Sequence, residues 1–378
     1  MRVLLLTDSD AFAGTEQHML TLSVGLKRAG HEVCVGSPSG SPLADRCGVL
    51  GIDTMDVAKI GFIDFIAASK CIRHIHKKSI DLLHVHNSRT AIIAAIVKVF
   101  LPGIKVVLTQ HFIKPTHVGR RGLERLLSYV VHRFIAGKLD KIICVSETTM
   151  TAMIQRGGAY SRCSKTVVYN GIDFDQHKPQ CTNAIINLKN ELRIPLDSKV
   201  VLMASRLEHE KAVDVGITAI SELIAIGIPI ILVIAGQGSQ MNYLKQLATG
   251  FGIDDAVRFL GFRTDIPLLM AAADVFLFTS PVDSFGMSIL EAMISGTPVV
   301  AANAGGPAEI VSDLSTGFLF TEGDPADLRQ KLLDCVACPY LDLLLTTARK
   351  SVETKFSVGV MATQTIEVYD SLRTRAQH

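Results

Sequence analysis

The chain lacks the features of a nucleic-acid binder, a membrane-spanning protein or an exported protein. Its 38 basic and 36 acidic residues leave a formal net charge of +2. No tract is rich in lysine and arginine, so nucleic acid is not an indicated partner. The most apolar long window, 91–108, is interrupted by Lys98, Pro102 and Lys105, and therefore predicts a helix, a turn and a strand rather than a bilayer span. The apolar run 1–7 is too short for a signal peptide, so we expect a protein that is not exported.

Metal-binding patterns are also sparse. Of the eight cysteines, Cys335 and Cys338 form the one close pair, and it lies inside a helical pattern without a second ligand pair, which disfavours zinc and redox roles. Reduced thiols are expected. His84 and His86 share a face at a strand end, but no third ligand stands at a fitting spacing in the sequence. The sequence thus predicts no metal site.

The chain is long enough for two domains, since it has 378 residues of which 48% are hydrophobic and 20% charged. Short apolar runs alternate with helical patterns, which is typical of parallel sheets covered on both faces. A polar stretch at 170–198 separates two such series. The predicted strands are 3–6, 32–36, 82–86, 106–109, 141–145 and 166–169, then 200–204, 230–235, 257–260, 275–278, 298–301 and 317–320. The prediction is α/β: two doubly wound, Rossmann-like parallel-sheet domains facing a central cleft.

The segment 281–300 is the most informative stretch of the sequence. It places two carboxylates, Asp283 and Glu291, eight positions apart around the start of a predicted helix. Ser284 suits the N-cap of that helix, which we expect over 285–295. The helix N-terminus would then present unpaired backbone N–H groups, which attract phosphate or sugar oxygens.

Glu291 lies in an almost wholly apolar setting within that helix. Its neighbours on both sides are Leu290 and Ala292. A carboxylate is rarely buried without a partner, and a ligand diol is one such partner. The alternative is that Asp283 caps the helix and Glu291 is a solvated charge.

Cations and glycines follow two strands of the second series. Arg206 and Lys211 flank a helix entrance and could neutralise a diphosphate, although such a pair is also common in solvated loops. Gly236 and Gly238 follow the next strand and could bring the backbone close to a ligand, or form a tight turn.

Taken together, these motifs resemble the retaining glycosyltransferases of family 4, which have the GT-B fold. The resemblance includes the order Ser-Arg-Leu-x3-Lys, Gly-x-Gly, Asp-Ser-Phe-Gly-x4-Glu-Ala-Met-x2-Gly-Thr-Pro and Ala-Gly-Gly-Pro-Ala-Glu, and it spans nearly the whole chain. It implies an acceptor-side domain, 1–172, joined by a C-terminal helix, 358–378. It also implies a domain at 173–357, including the linker, that binds a nucleotide-sugar donor.

The resemblance also implies residue roles. Arg206 and Lys211 bind the donor diphosphate, Asp283 holds the transferred sugar, and Glu291 accepts hydrogen bonds from the ribose hydroxyls. Ser284, Phe285 and Gly286 form the turn around the sugar, with the amides of the latter two as donors. Gly236, Gly238 and the loop ending at Arg263 belong to the same donor site, with Arg263 flanking the base.

In the amino-terminal half, the resemblance assigns Gly14 to a glycine pair near the donor phosphate and His111 to the reacting sugar. A structural role for His111 stays open. Two positions depart from the family pattern. Ala13 replaces the first glycine of the pair, which narrows the conformations of that loop. Asp283 replaces the usual glutamate and is one methylene shorter.

The implied activity is retaining, metal-independent transfer of a hexosyl group from a nucleotide diphosphate sugar to an acceptor hydroxyl, in glycan, polysaccharide, lipopolysaccharide or glycolipid biosynthesis. No cofactor is expected, a UDP-sugar is favoured over a GDP-sugar, and the acceptor is a carbohydrate or a lipid-linked molecule. A GT-B sugar-nucleotide epimerase and a non-catalytic nucleotide-sugar-binding protein are the alternatives. A nicotinamide enzyme is disfavoured because no Gly-x-Gly-x-x-Gly follows the first predicted strand.

We expect a cytoplasmic protein, with contact to the inner face of a membrane as an added possibility. This hypothesis concerns the segment 119–139, whose apolar stripe includes Leu126, Leu127, Val130, Val131 and Phe134. The simple interpretation is a core-facing stripe with a solvated basic face formed by Arg121, Arg125 and His132. The other interpretation is a basic amphipathic helix on a membrane surface.

Overall fold

The computed structural model describes residues 1–57, 64–113, 123–176, 180–195 and 197–374. The chain divides into two compact units: Met1–Gly171 with Phe356–His378, and Ile172–Lys355. Each unit is a parallel sheet with helices, which confirms the predicted fold class.

In the first unit, the described residues form a seven-stranded sheet of order β3-β2-β1-β4-β5-β6-β7, and every neighbouring pair is parallel. The strand order reverses between β1 and β4, and ligands of doubly wound sheets bind at the carboxyl ends of strands at such a switch point. The strands are β1 (Arg2–Leu6), β2 (Glu32–Ser37), β3 (Asp53–Asp56), β4 (Leu82–Val85), β5 (Lys105–Gln110), β6 (Lys141–Cys144) and β7 (Lys165–Val167).

Strand β3 was not predicted. Its sequence Asp-Thr-Met-Asp carries a single apolar side chain, and it lies at the sheet edge with exposed and half-buried residues. An edge strand needs no buried apolar run, so hydrophobic periodicity did not reveal it.

Helices cover this sheet: α1 (Gly14–Arg28), α2 (Pro42–Val49), α3 (Phe65–Lys78), α4 (Ser88–Phe100), α5 (Leu123–Ala136), α6 (Glu147–Arg156) and α15 (Val358–Thr374). Polar N-caps begin several of them, since the side chains of Ser41, Asp64, Asn87 and Ser146 accept hydrogen bonds from first-turn N–H groups. The C-terminal helix α15 packs on α1, where Gly25 admits Ala362 so closely that an added Cβ would lie 2.8 Å from the alanine Cβ.

In the second unit, the described residues form a six-stranded parallel sheet of order β10-β9-β8-β11-β12-β13. The order reverses between β8 and β11. The strands are β8 (Lys199–Ala204), β9 (Ile230–Ala235), β10 (Val257–Gly261), β11 (Val275–Phe278), β12 (Val299–Ala302) and β13 (Phe318–Phe320).

Eight helices of the described residues accompany this sheet: α7 (Thr182–Glu191), α8 (Val213–Ala225), α9 (Met241–Gly250), α10 (Ile266–Ala272), α11 (Met287–Ser295), α12 (Pro307–Ile310), α13 (Pro325–Val336) and α14 (Leu341–Lys355). Strand side chains from both faces of the sheet are buried, and all residues of β9 and β11 are inaccessible or nearly so. This burial explains why these strands are continuous apolar runs in the sequence.

Helix α5 departs from the expected orientation. Leu126, Leu127, Val130 and Phe134, which were expected to face the core, are 42–58% exposed. Val131, of the same stripe, does pack against the core as expected. The expected basic face falls partly outside the described residues, since Arg121 and the side chain of Arg125 are among those not described. The predicted assignment of faces is therefore wrong, because amphipathic periodicity finds a stripe without showing what covers it.

Two other expectations concern cysteines and membrane spans. All eight cysteines lie in the described residues and none forms a disulfide there. Burial raises the pKa of the Cys335 thiol, one of the close pair Cys335 and Cys338, to about 12. Across the described ranges, no helix has the length and apolar character needed to cross a bilayer.

Candidate functional site

Helix α11 begins two residues later than predicted. Its N-cap is Gly286, with φ 104° and ψ 56°, and Ser284 does not cap it. A left-handed backbone at this position favours glycine, which explains why the Phe-Gly turn precedes the helix. Gly296 ends the helix at φ 75°, as predicted. The first N–H groups of an α-helix lack intrahelical partners by geometry. At the start of α11, the N–H of Ile289 donates to the carbonyl of Gly286 at 3.0 Å, so the N–H groups of Met287 and Ser288 are the ones left for a ligand.

Asp283 and Lys211 form an ion pair at this turn. Lys211 Nζ lies 2.5 Å from Asp283 Oδ2, and the two side chains are 16% and 17% exposed. The other carboxylate oxygen, Oδ1, accepts the N–H of Phe285 at 3.4 Å. The structure therefore brings together the predicted sugar-holding carboxylate and one predicted diphosphate cation.

The loop after β8 is docked onto the loop after β11. Thr279 Oγ1 donates to the carbonyl of Lys211 at 2.8 Å, and Ser280 Oγ donates to the carbonyl of Glu210 at 2.9 Å. Sequence reasoning missed both hydroxyls, because a Thr-Ser pair at a strand end carries no distinctive spacing. These bonds fix the backbone that carries the lysine at the switch point.

Arg206 is the more accessible cation of the loop. Its side chain is 67% exposed and pairs with Glu210 at 3.1 Å. Exposed pairs of this kind contribute little free energy, so an anionic ligand can replace the glutamate at small cost.

Glu291 is half-buried on α11 and makes no hydrogen bond or ion pair with the residues that the structure describes. Burial raises the pKa of its carboxyl to about 7. A carboxylate in such a position is costly unless a ligand supplies donors, so the solvated-charge alternative does not fit this environment.

Gly236 and Gly238 approach protein backbone rather than open space. A Cβ on Gly236 would lie 1.8 Å from the carbonyl oxygen of Ser205, and one on Gly238 would lie 2.2 Å from that of Leu207. Leu207 N donates to Gln237 O at 2.9 Å in the same contact. These glycines let the loops after β8 and β9 pack side by side, and their contact with a ligand stays a prediction.

The same close packing occurs on the other side of the α11 turn. A Cβ on Gly306 would lie 2.3 Å from Phe285 Cα, and one on Gly305 would lie 2.7 Å from the carbonyl oxygen of Asp283. Gly306 N donates to that carbonyl at 2.9 Å. The Ala-Gly-Gly-Pro motif thus packs directly against the backbone of the turn. Phe285 itself is only 2% exposed.

Arg263 is engaged with neighbouring carboxylates. Its guanidinium makes a bidentate contact to Asp265, with distances of 2.8 and 2.6 Å, and a further contact to Glu191 at 3.3 Å. These contacts connect the start of α10 with the end of α7. Arg263, which was predicted to flank the base, is therefore held by these two carboxylates.

Gly14 and Ala13 open helix α1 of the first unit. An added Cβ on Gly14 would have no neighbour within 4 Å, so space is available there. Ala13 has φ −138° and ψ −162°, an extended backbone that any residue adopts, and its N–H donates to Glu16 Oε2 at 3.1 Å. In this conformation, position 13 therefore does not need the extra freedom of a glycine.

His111 is one of four buried histidines that cluster in the first unit. His18 comes from α1, His84 and His86 from the end of β4, and His111 from the end of β5. Their rings stack and tilt against one another with centroids 4.4–5.4 Å apart. Burial lowers the pKa of His18 to about 4 and lowers the pKa values of the other three well below the usual histidine value. These rings are neutral at physiological pH.

The hydrogen bonds of this cluster distinguish its members. Both nitrogens of His84 are engaged, Nδ1 with Tyr369 Oη and Nε2 with Thr109 Oγ1, each at 2.6 Å. His86 Nδ1 lies 3.1 Å from His111 Nε2. The His84–His86 pair that the sequence suggested is not the ligand set, because both nitrogens of His84 are engaged. His86 instead lies close to His18 and His111, which come from other elements and whose spacing in the sequence carries no information.

A cavity of about 240 Å³ opens beside the cluster within the first unit. His86 and His111 are in its wall, as are Asp8 and Arg89, which pair at 3.2 Å. The cavity gives small polar molecules access to the histidines.

The family descriptions "Glycosyltransferase Family 4" and "Glycosyl transferases group 1" match residues 12–176 and 185–350, one in each unit. The N-acetyl-alpha-D-glucosaminyl L-malate synthase of Bacillus anthracis is 27% identical, over 82% of this chain and 80% of that protein. The 2-deoxystreptamine glucosyltransferase of Streptomyces kanamyceticus is also 27% identical, over 87% of each.

Among solved structures, HepE of Anabaena in complex with UDP and glucose is similar over 98% of this chain and 100% of that one, with a TM-score of 0.83 and 26% identity. Both halves of the chain therefore match the same kind of enzyme in sequence and in fold. The chain belongs to the family 4 glycosyltransferases with the GT-B fold.

Proposed function

We propose that this glycosyltransferase is a retaining, metal-independent enzyme that moves a hexosyl group from a UDP-sugar to an acceptor hydroxyl. The observation that carries the proposal is Glu291, a half-buried carboxylate with a raised pKa and no partner among the described residues, on the helix whose start holds the Asp283–Lys211 pair. A ribose diol supplies the donors that this carboxylate lacks. The complex of HepE with UDP and glucose supports a UDP-sugar as the donor.

The donor diphosphate is bound by charge in the second unit. Arg206 exchanges Glu210 for phosphate oxygens, and the first N–H groups of α11 donate to the same group. Lys211 stays beside Asp283. Its ammonium therefore contacts both the leaving phosphate and the carboxylate of Asp283, which accepts a hydrogen bond from a sugar hydroxyl.

Charge stabilisation drives the proposed reaction. As the glycosidic bond breaks, negative charge grows on the diphosphate, and the preorganised cations and helix N–H groups stabilise it. The acceptor attacks the face that the leaving phosphate occupies, and a phosphate oxygen takes the acceptor proton. No protein nucleophile is needed, in contrast to the two-carboxylate geometry of retaining hydrolases.

The acceptor is proposed to bind in the first unit. The wall of the cavity beside His86 and His111 includes the polar side chains of Asp8 and Arg89. A neutral His111 can donate or accept a hydrogen bond with a sugar hydroxyl without adding charge. The names of the two relatives include L-malate and 2-deoxystreptamine, which both carry hydroxyl groups. We propose glycan, polysaccharide, lipopolysaccharide or glycolipid biosynthesis as the pathway of this enzyme.

The proposal is tested by product analysis. The chain is incubated with UDP-hexoses and GDP-hexoses, with L-malate, 2-deoxystreptamine or p-nitrophenyl hexosides as acceptors, and the anomeric proton of the product is followed by NMR. Transfer from a UDP-hexose with retained configuration, unchanged by EDTA, is expected. Arg206→Ala should reduce transfer, whereas Glu210→Ala, which removes only its protein partner, should not.

Other outcomes identify other activities. An inverted anomer or loss of activity in EDTA would contradict the mechanism. Conversion of the donor to an epimer without an acceptor would indicate the epimerase, and binding of UDP-hexose without any turnover would indicate the non-catalytic alternative.

We further propose that helix α5 contacts an anionic bilayer surface. Four large apolar side chains, Leu126, Leu127, Val130 and Phe134, are 42–58% exposed on this helix, a pattern that suits insertion at a membrane interface. Flotation with anionic liposomes at low salt should carry the protein upward. A Leu126→Gln and Val130→Gln double variant should stay behind. Ile154→Gln, a change at an apolar residue of α6 that is 57% exposed, should float normally. Wild-type protein that does not float would refute the contact.

A further inference from the structure

Three of the four clustered histidines of the first unit form a ligand set for a transition metal. His18, His86 and His111 each offer a ring nitrogen, and these nitrogens lie within 4.8 Å of one another. Nitrogens bound to one zinc ion at the usual bond length stand about 3.4 Å apart. His86 Nδ1 and His111 Nε2 are already 3.1 Å apart, and both can bind one ion when each ring carries its hydrogen on its other nitrogen, which for His86 is Nε2.

Two nitrogens of this triad are buried without a partner. Among the described residues, His18 Nε2 and His86 Nε2 have no hydrogen bond. Buried polar atoms are nearly always bonded, so the open nitrogen of His18 indicates a missing ligand. His86 Nε2 is the nitrogen that carries the hydrogen of that ring when Nδ1 binds an ion.

The hydrogen bond of His18 sets its lone pair. Its Nδ1 lies 2.7 Å from the side-chain oxygen of Asn170, which can only accept a proton, so Nδ1 carries the hydrogen and Nε2 is left as an unprotonated donor of electrons. Metal-binding histidines characteristically donate their other ring N–H to an oxygen in this way. Asn170 is therefore a positioning residue for the triad.

His84 has a different role from the triad. Both of its nitrogens are engaged, with Tyr369 and Thr109. It packs against His86 with ring centroids 4.4 Å apart and supports that ring without being available as a ligand.

We propose that His18, His86 and His111 bind a zinc-type divalent ion, with water in the fourth position, and that the bound ion inhibits sugar transfer. Neutral imidazoles suit zinc and similar ions and do not suit magnesium or calcium, which prefer oxygen. The cavity walled by His86 and His111 provides the route of entry. The inhibition rests on the proposed function, because the ion occupies the lone pair that His111 offers to the reacting sugar.

Calorimetry of the full chain, stripped with a chelator and titrated with Zn²⁺ alone, measures the site. One ion per chain should bind, and Mg²⁺ should not. Binding should be lost in His18→Gln and in His86→Gln, and should weaken about 10- to 100-fold in Asn170→Ala, since the ligand loses its orienting partner. His76→Gln, at an exposed histidine of α3, is the matched control and should bind zinc normally.

Two further measurements separate folding and function from binding. Crystals of the wild-type chain soaked in Zn²⁺ should show anomalous density between the three rings, whatever the stability of the variants. Zn²⁺ should inhibit transfer by the wild type reversibly with EDTA, and the residual transfer of His18→Gln should be insensitive to it.

The outcomes distinguish the two proposals. Absence of zinc binding, or density at His76 or at surface cysteines instead, overturns the metal site and leaves the transferase proposal untouched. Zinc bound at the triad without any effect on transfer overturns the inhibition, and with it the placement of His111 beside the reacting sugar.

Discussion

Replacing Glu291 by glutamine should make the protein more stable above neutral pH and at the same time weaken UDP binding. The substitution keeps the shape of the side chain and removes its charge. The carboxyl pKa is raised from 4.5 to about 7 by burial, so the folded chain holds a proton that the unfolded chain has released. Wild-type stability therefore falls as pH rises between these two values, by at most about 3 kcal/mol. The glutamine variant lacks this loss and should have the higher melting temperature at pH 8.5.

The effect on UDP has the opposite sign. Above pH 8 the ionised carboxylate accepts hydrogen bonds from the ribose hydroxyls, and a hydrogen bond to a charged group contributes about 1.5–3 kcal/mol. Its loss should weaken UDP binding about 10- to 150-fold at pH 8.5. At pH 6 most wild-type carboxyls are protonated, so the difference in affinity between the two proteins should shrink.

Calorimetric titration with UDP at pH 6 and pH 8.5, with melting curves at both values, measures these effects. Glu322→Gln, at an exposed glutamate of the same unit, is the control and should change neither quantity. Equal UDP affinity in wild type and Glu291→Gln at pH 8.5 would refute the ribose contact. A lower melting temperature of the variant at that pH would show that a protein group stabilises the carboxylate.

Three other substitutions test the remaining contacts. Lys211→Ala should lower the transfer rate about 10²- to 10³-fold, because it removes the ammonium that stabilises the charge on the leaving diphosphate. Lys245→Ala, at an exposed lysine of α9, should not change the rate. Steady-state kinetics measures both, and near-normal turnover in Lys211→Ala contradicts the role. His111→Ala should lower kcat and leave the Kd for UDP nearly unchanged, and an equal loss of both would indicate a folding role. Gly238→Ala should destabilise the second unit by about 2 kcal/mol, because the added Cβ would lie 2.2 Å from a backbone oxygen. Gly250→Ala, where the added Cβ would have no neighbour within 4 Å, should be tolerated. Melting curves compare the two variants, and equal effects would refute the packing argument.

The fold could be predicted because its strands are buried on both faces. Strands such as β9 and β11 are continuous apolar runs, and this pattern survives in the sequence. The edge strand β3 could not be found, because its backbone pairs with β2 while its side chains contribute little to the core. The exposed face of α5 was misassigned for a related reason: periodicity gives the stripe, and tertiary packing decides which side is covered.

The candidate site was only partly accessible from sequence. Asp283, Lys211 and Glu291 follow from local motifs, because each stands next to a helix end or in an apolar context. The close packing of Gly238 on the loop after β8 was not predicted, because it is a contact between segments about thirty residues apart that no local rule predicts. His18 was not singled out at all, since one histidine on an amphipathic helix has no distinguishing pattern until the sheet brings other histidines to it.

Hydrogen exchange of the chain with and without saturating UDP tests the central claim, that the loops after β8 and β11 of the second unit bind the donor diphosphate. Backbone amides in residues 205–211 and 284–291 should exchange more slowly when UDP is bound, and the protection should disappear in Lys211→Ala at the same UDP concentration. UDP binding that leaves both segments unprotected, or protects only the first unit, would contradict the account.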